Sequence, residues 1–365
     1  MSLSKIKKIS FLIYSFEYGG AEKNMILLAN LFFKKGYNVD VIVINNKGGL
    51  NQNLEKGVTT INFNKKKSIL CIFKLIKYFN VDKPDYLFSS IIHLNLISIF
   101  CSLVSWKKVN IIIRESNIIL DSYNLKSKIK NFIFVNLAKF LYKKSFKIIA
   151  ISDAVKNNLT VKFKINKNKI NKINNPVDIK NIQIKSKEKI EHKYFNNKDK
   201  IILTVASLTK QKNLQLLIKA FNRVIREIPT KLIIIGTGTE YSYLKKLTYE
   251  LKLDKYVDFL GNIQNPYPYM KQCDLFVLPS LYEGLPNVLI EALVCESHIL
   301  ATNCPGGSSE ILQKYGKLVK CNDLNDLTIE ITSFLKKNKK NKNINSRYLN
   351  FSIENQFKKY ENLIS

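Results

Sequence analysis

The chain has 365 residues, of which 46% are hydrophobic, 11% aromatic and 24% charged; this leaves room for two domains with real cores and excludes collagenous, disulfide-scaffold and wholly disordered chains. Lys and Arg number 59 against 28 Asp and Glu, a net charge of +31, so nucleic acid, acidic lipid and phosphorylated substrates all have to be considered as partners. The excess is mostly lysine in company with Asn and Ile, which an AT-rich coding sequence also produces, so charge alone does not choose among them.

Short β-branched runs alternate with longer segments of helical period. Residues 9–14, 39–44, 86–90, 109–113 and 147–151 read as strands buried on both faces, because they lack polar alternation. Residues 21–35, 68–79, 94–103 and 127–143 carry apolar side chains three and four apart and read as helices. The order β-α-β-α predicts a parallel, doubly wound sheet. The apolar run at 9–14 is too short for a signal peptide. Residues 86–106 contain no Asp, Glu, Lys or Arg over a bilayer-length span, but five Ser, His93 and Asn95 interrupt them, so a buried strand followed by a buried helix is expected there. Phe132, Phe134, Leu137, Phe140 and Leu141 alternate with lysines over 125–147, which suits either a helix on an anionic lipid surface or one packed on the sheet with its lysines reaching water.

Residues 157–200 are rich in Lys and Asn, and a linker is expected over 179–200. The pattern then restarts, with strands at 201–205, 231–235, 257–260, 275–278 and 299–301 and helices at 214–226, 241–251 and 287–294. The run KKNKKNK at 336–342 reads as a solvated loop, and 353–363 as a terminal helix. The expected division is 1–180 and 181–349, with 350–365 returning to the first domain. Six cysteines lack any C-x-x-C spacing, which predicts reduced thiols and a cytosolic protein. The first 200 residues hold 37 of the 59 basic side chains, so the first domain is the more basic.

The most informative stretch is DLFVLPSLYEGLPNVLIEALVCESHILATNCPGGSSEIL, 274–312. A buried strand leads to a turn carrying Glu283 and Gly284, and a helix follows from Pro286 or Asn287 with Glu291 two turns inside. Free N–H groups at such a helix start, with Gly284 admitting close approach, make a site for phosphate or sugar oxygens. On spacing alone Glu283 could equally be a capping carboxylate and Glu291 a solvated one.

E-x7-E within S-x-x-EGLPNVLIEAL, followed by CPGGSSEIL, resembles the signature of the family-4, group 1 retaining glycosyltransferases of GT-B fold. The likeness extends to YSFEYGGAEKNMILLANLF (14–33), INNPVDI (173–179), VASLTKQKNLQLLIKAF (205–221), IIIGTGTEYSYLKKL (233–247) and FLGNI (259–263), and sequences of this kind serve lipid-linked and surface polysaccharide assembly. The resemblance implies two Rossmann-like domains facing a cleft, an acceptor-binding first and a nucleotide-sugar-binding second. It implies that Glu291 holds ribose hydroxyls, that Glu283 contacts the donor sugar, and that backbone N–H groups of Leu285, Asn287 and Val288 meet sugar and diphosphate. Lys212 would stabilise the leaving diphosphate, Gly19 and Gly20 would admit it from the first domain, Gly236 and Gly238 would shape the loop beside the nucleotide, and Gly261 with Asn262 would face the base. His93 is either a residue beside the reacting sugar or a core histidine.

One position departs from the family pattern. An arginine is usual where Ser207 stands, which leaves Lys210 or Arg114 to supply its charge, or a weaker stabilisation of the leaving group. The implied reaction moves a sugar from a nucleotide-diphosphate sugar, expected to be a UDP-sugar, to a glycan or lipid-linked acceptor with the anomeric configuration retained. No paired-Asp motif stands out, so neither a metal nor a bound cofactor is expected. The expected location is cytoplasmic, peripheral on the inner face of the membrane. A nicotinamide dehydrogenase is disfavoured because SFEYGGAEK replaces G-x-G-x-x-G. Nucleic-acid binding lacks a zinc, homeodomain or aromatic RNA motif. A GT-B sugar-nucleotide epimerase, or an inactive family member acting as a binding subunit, remains as an alternative.

Overall fold

In the computed structural model residues 6–17, 19–118, 128–196, 199–337 and 346–365 are described. They form two compact units, one running to Asn175 and taking in Gln356–Ser365, the other spanning Pro176–Asn355.

The first unit is built on β1 (Lys8–Phe16), β2 (Asn38–Gly48), β3 (Thr59–Asn62), β4 (Tyr86–Ser90), β5 (Asn110–Glu115), β6 (Lys147–Ala150) and β7 (Ile170–Lys172), all parallel in the order β3-β2-β1-β4-β5-β6-β7. Its helices are α1 (Gly20–Lys34), α2 (Ile72–Val81), α3 (Ile92–Val104), α4 (Lys128–Tyr142) and α5 (Asp153–Val161). The apolar runs become central strands because helices cover both faces of a parallel sheet. Phe11 pairs with Val41 on one side and Phe88 on the other, and its ring stacks on Phe88 at 5.1 Å between centroids. From β1 the chain moves outward to β2 and β3, then returns to β4 beside β1. The loops leaving the C-terminal ends of β1 and β4 therefore part in opposite directions, and that divergence opens a crevice. Phe357, from the C-terminal segment, packs edge-on to Phe32 of α1 at 4.8 Å.

The second unit repeats the plan with β8 (Lys200–Val205), β9 (Thr230–Ile235), β10 (Val257–Gly261), β11 (Leu275–Leu278), β12 (Ile299–Thr302) and β13 (Lys317–Val319) in the parallel order β10-β9-β8-β11-β12-β13. Around this sheet lie α6 (Ile179–Lys185), α7 (Leu214–Val224), α8 (Tyr241–Glu250), α9 (Tyr267–Gln272), α10 (Asn287–Val294), α11 (Ser308–Leu312) and α12 (Leu324–Lys336). Leu217, Phe221, Ile234, Leu327 and Ile331 share one fully buried core. Here the reversal of strand order falls between β8 and β11. The last helix, α13 (Ile353–Glu361), starts in the second unit and ends in the first.

The expected linker at 179–200 is corrected by the structure. Asp178 accepts the Asn181 N–H at 3.1 Å and starts α6, whose Ile179 and Ile182 are buried, and Tyr194 is buried against His192. A few apolar side chains among lysines suffice, because one covered face is all that a two-turn helix needs. The short strands β3, β7 and β13 and helices α5, α9, α11 and α12 also go beyond the sequence expectation. Residues 86–106 are β4 and α3, as expected, and no helix among the described residues is long and apolar enough to cross a membrane. All six cysteines are free thiols. Residues 125–127 and 338–342 of the expected basic segments lie outside the described residues.

A buried polar network crosses the first unit. Tyr142 donates to Glu115 Oε2 at 2.6 Å, Asn95 donates to the Tyr142 hydroxyl at 3.2 Å, and Ser89 donates to Asn95 at 2.8 Å. Burial pushes the Glu115 carboxyl up to about 7 from an ordinary 4.5, against the hydrogen bond from Tyr142 and the charge of Arg114. A carboxyl whose folded pKa is raised binds its proton more tightly in the folded state, so its contribution is full below about pH 4.5 and is lost as pH rises towards 7. Glu115→Gln should therefore flatten the fall in stability between pH 5 and pH 8, by about 1.4 kcal/mol for each tenfold gain in proton affinity that folding confers on the carboxyl. Melting curves that run parallel for the variant and the parent at every pH would show that the carboxyl is unperturbed.

Candidate active site

In the second unit the reversal of strand order brings two loops together, one leaving β8 and one leaving β11. The β8 loop runs through Ser207 into a short 3-10 turn, Lys210–Lys212, that ends on Asn213 in the left-handed conformation at φ 49°. The β11 loop carries Ser280 and Glu283 to α10. The two are stitched by backbone: Leu281 N–H donates to Gln211 O at 2.8 Å, and the Gln211 side chain to Tyr282 O at 2.8 Å.

Across this seam Lys212 Nζ donates to Glu283 Oε1 at 2.5 Å. Ser280 Oγ donates to the same oxygen at 2.6 Å, and Thr302 holds Ser280 O from β12 at 2.5 Å. Glu283 is 4% exposed, so these donors take the place of the water it has lost. The loop after β12 supports it from beneath. The Glu283 N–H bonds Pro305 O at 2.9 Å, and Gly306, at φ 140°, leaves room for the Glu283 carbonyl where a Cβ would collide. The CPGG stretch is thus explained by close backbone approach.

Gly284 and Leu285 are buried. The helix α10 opens on Pro286 with no capping side chain, and Asn287 and Val288 form its half-buried first turn. Glu291 lies one turn in, half-buried, close enough that its charge adds to burial in raising the Tyr267 hydroxyl pKa. Gly236 and Gly238 follow β9, where the backbone carbonyls of Ala206 and Leu208 occupy the space a Cβ would need. They let the β9 loop lie on the β8 loop, with Gly236 N–H bonding Gly261 O at 2.7 Å. Ser207, Lys210 and Asn262 are exposed.

The remaining expected residues belong to the first unit. Gly19 precedes α1 and Gly20 begins it. The Glu22 carboxylate folds back towards its own N–H over Gly19, where a Cβ would collide with it; burial raises its pKa, with the charge of Glu17 adding to this and that of Arg114 opposing it. His93 sits in the first turn of α3, edge-on to Tyr14 at 5.9 Å, and burial lowers its pKa, which favours the neutral ring. It is half-buried, which sets it apart from the core positions around it. The preceding residue but one, Ile91, has φ 78°, a strained conformation for a β-branched side chain, and strain of this kind concentrates at functional sites. Arg114 is 1% exposed; its guanidinium donates to Ser90 Oγ at 3.3 Å and to Asn175 Oδ1. Both terminal nitrogens are thus committed within the first unit. Glu22, Ser280, Thr302, Ile91 and the Glu115 network were missed by the sequence reading. Ser280 alone had a visible signal, its S-x-x-E spacing to Glu283.

Two family models tile this chain: residues 18–181 match glycosyltransferase family 4, and residues 185–348 match glycosyl transferases group 1. The chain belongs to the group 1, family 4 glycosyltransferases. An enzyme of Campylobacter jejuni serotype O:2, named N-acetylgalactosamine-N,N'-diacetylbacillosaminyl-diphospho-undecaprenol 4-alpha-N-acetylgalactosaminyltransferase, is 29% identical over 92% of each chain. A second from that organism, an alpha-1,4-N-acetyl-D-galactosaminyltransferase named for a diNAcBac-PP-undecaprenol acceptor, is 26% identical over 87% of this chain and 85% of its own. Among solved structures, that of Anabaena HepE in complex with UDP-glucose superposes with a TM-score of 0.82 at 20% identity, over 98% of this chain and 99% of that one. The fold of this glycosyltransferase is GT-B.

Lys212 is 16% exposed and is the only cation that bonds Glu283 among the described residues. Lys212→Ala should cost about 2–3 kcal/mol, because it strands a buried carboxylate. Adding Glu283→Gln should recover part of that loss, since the unpaired charge disappears. Urea unfolding decides; a double variant less stable than Lys212→Ala alone would show that the pair is not what holds the seam.

Proposed function

We propose that this glycosyltransferase moves a sugar from a nucleotide-diphosphate sugar, a UDP-sugar, to a hydroxyl of a lipid-linked glycan, with retention, in cell-surface polysaccharide or glycolipid synthesis. The observation that carries this is the Lys212–Glu283 pair ahead of the uncapped start of α10. Both bonds to Glu283 fall on Oε1, which leaves Oε2 to accept from a donor-sugar hydroxyl. An ammonium has three donors. One serves Glu283 and the others can meet the diphosphate, together with the N–H groups at the start of α10. Glu291, one turn on from that start, accepts the ribose hydroxyls.

In the step so arranged, the bond from the anomeric carbon to the leaving phosphate breaks. The acceptor oxygen bonds that carbon from the same face, and its proton passes to the departing phosphate oxygen. Lys212 stabilises the charge that develops there. Neutral His93 is suited to hydrogen-bonding a sugar hydroxyl near the β1–β4 crevice of the first unit. The lipid-linked acceptor is proposed because both Campylobacter relatives are named for undecaprenol-linked acceptors. It agrees with a basic first unit whose α4 exposes Ile133, Leu137 and Phe140 beside Lys143 and Lys144, the composition of a peripheral helix on an anionic membrane. The UDP-glucose held by the HepE structure makes uridine nucleotides the first donors to try.

Glu291→Ala should chiefly weaken nucleotide binding, because ribose is held equally in the ground and transition states, and Glu283→Ala should chiefly lower kcat. Calorimetric titration with UDP and steady-state kinetics separate the two effects. Intact UDP affinity in the Glu291 variant would remove the ribose role. Lys210→Ala should lower kcat beyond the effect of an ordinary surface change, and Ser207→Arg in that background should restore part of it, since a guanidinium can meet two phosphate oxygens at once. Full activity of Lys210→Ala would show that Lys212 and the backbone suffice.

A further inference from the structure

Three helices of the first unit lie side by side, with α3 between α2 and α4. Each turns apolar side chains outward. Phe73 on α2 is 86% exposed, Leu103 on α3 is 53% exposed, and α4 exposes Ile133, Leu137 and Phe140. Just beyond α3 stands Trp106, 93% exposed. Its position is fixed, because the backbone N–H groups of Trp106 and Lys107 both donate to Asn80 Oδ1 near the end of α2, at 3.0 and 3.3 Å. Large apolar side chains exposed on each of three adjoining helices mark an interaction surface, and indole is enriched where one side is apolar and the other wet.

Charge identifies what covers this face. The segments 65–81, 86–113 and 128–152, which supply the three helices, hold thirteen lysines and not one Asp or Glu. Beside the end of α4 a cavity of about 460 Å³ is lined by Lys143, Lys147, Lys164 and Lys169, with Phe146 at its wall and no carboxylate in its lining. Burial, with the like charges of Lys144 and Lys147, lowers the Lys169 pKa, as an uncompensated cationic cluster should. A protein partner would need an unusually acidic and apolar surface, whereas an anionic bilayer offers phosphates and hydrocarbon together.

We propose that the α2–α3–α4 face, tipped by Trp106, inserts its apolar side chains into the interface of an anionic bilayer while the flanking lysines bind lipid phosphates. This rests on the membrane-linked acceptor proposed above, and extends it from α4 to a three-helix surface with a defined anchor.

Trp106 is the only tryptophan in the chain and so reports its own surroundings. The full chain is titrated with vesicles of phosphatidylglycerol and phosphatidylcholine, and with phosphatidylcholine alone. The expected result is a blue shift of emission with the anionic vesicles and quenching by lipids brominated in the acyl chain. Phe73→Ala with Leu103→Ala, keeping Trp106, should weaken vesicle sedimentation at least tenfold, while UDP affinity and turnover of a soluble acceptor stay unchanged. Vesicle binding without a change in Trp106 emission overturns the proposal. A blue shift that appears without lipid at high protein concentration, alongside a dimer in ultracentrifugation, also overturns it, because a second copy then covers the face. Loss of the shift in the presence of free inorganic phosphate at low total ionic strength would mean that a soluble phosphate site, not a bilayer, is what the lysines serve. Failure of UDP to bind while the anionic shift persists would sink the donor assignment and leave the membrane face standing.

Discussion

A carboxylate buried in the loop beyond a parallel strand must find donors within reach, and in the second unit Glu283 finds Lys212 and Ser280. The surrounding loops are arranged around that requirement. Lys212 can reach it because the turn after β8 closes on a left-handed Asn213. Ser280 is held by Thr302 from the neighbouring strand, and the β12 loop slides beneath only because residue 306 is glycine. The strand order makes these contacts available, since β8 and β11 are neighbours in the sheet and the loops leaving them meet. The proposed donor site thus lies where the strand order reverses, and one ion pair ties its two loops together.

The first unit meets the same problem differently. Consecutive residues on a strand point to opposite faces, so Arg114 and Glu115 at the end of β5 bury a cation on one side and a carboxyl on the other. They do not pair with each other directly. Arg114 is held by Ser90 and Asn175, and Glu115 by Tyr142. The cost falls on the carboxyl, whose pKa is raised by burial. Arg114 thereby spends a bond from each terminal nitrogen inside the first unit, and in the function proposed above Lys212 and Lys210 are the second unit's own candidates for the charge that Ser207 lacks.

Much of this was legible in the residues. Runs such as 86–90 and 275–278 became strands without change, because uninterrupted apolar sequence of that length fits the middle of a parallel sheet. The helix at 287–294 and the turn before it followed from Gly284 and Pro286. What escaped was held by few contacts or by distant ones. The short strands β3, β7 and β13 gain their hydrogen bonds from neighbours rather than from their own composition, and α6 hides two isoleucines among lysines. Ile91 carries no sign of its positive φ, since no local rule favours it there. The Glu22 carboxylate over Gly19 could be read only after α1 had been placed.

The lysine excess is where sequence and structure together say more than either alone. A coding bias would raise lysine everywhere and is one source of a charge of +31. It has no means of clearing carboxylates from particular segments. The three segments supplying α2, α3 and α4 cover about 70 of the 365 residues and at the chain's average would carry about five of its 28 acidic side chains. They carry none. Part of that absence belongs to β4, β5 and β6, whose buried positions admit few charges, but the outward turns of the helices are open to water and tolerate Glu as readily as Lys. Those turns lie far apart in sequence and become neighbours only in the fold, where Asp82 closes α2 at the edge, so the agent that would disfavour carboxylates between them is one that meets the assembled surface. Exposed aromatics on the same surface separate that agent from a simple preference for positive charge. A soluble polyanion would reward lysine but gives no reason to keep Phe73 and Trp106 in water, whereas a bilayer rewards both.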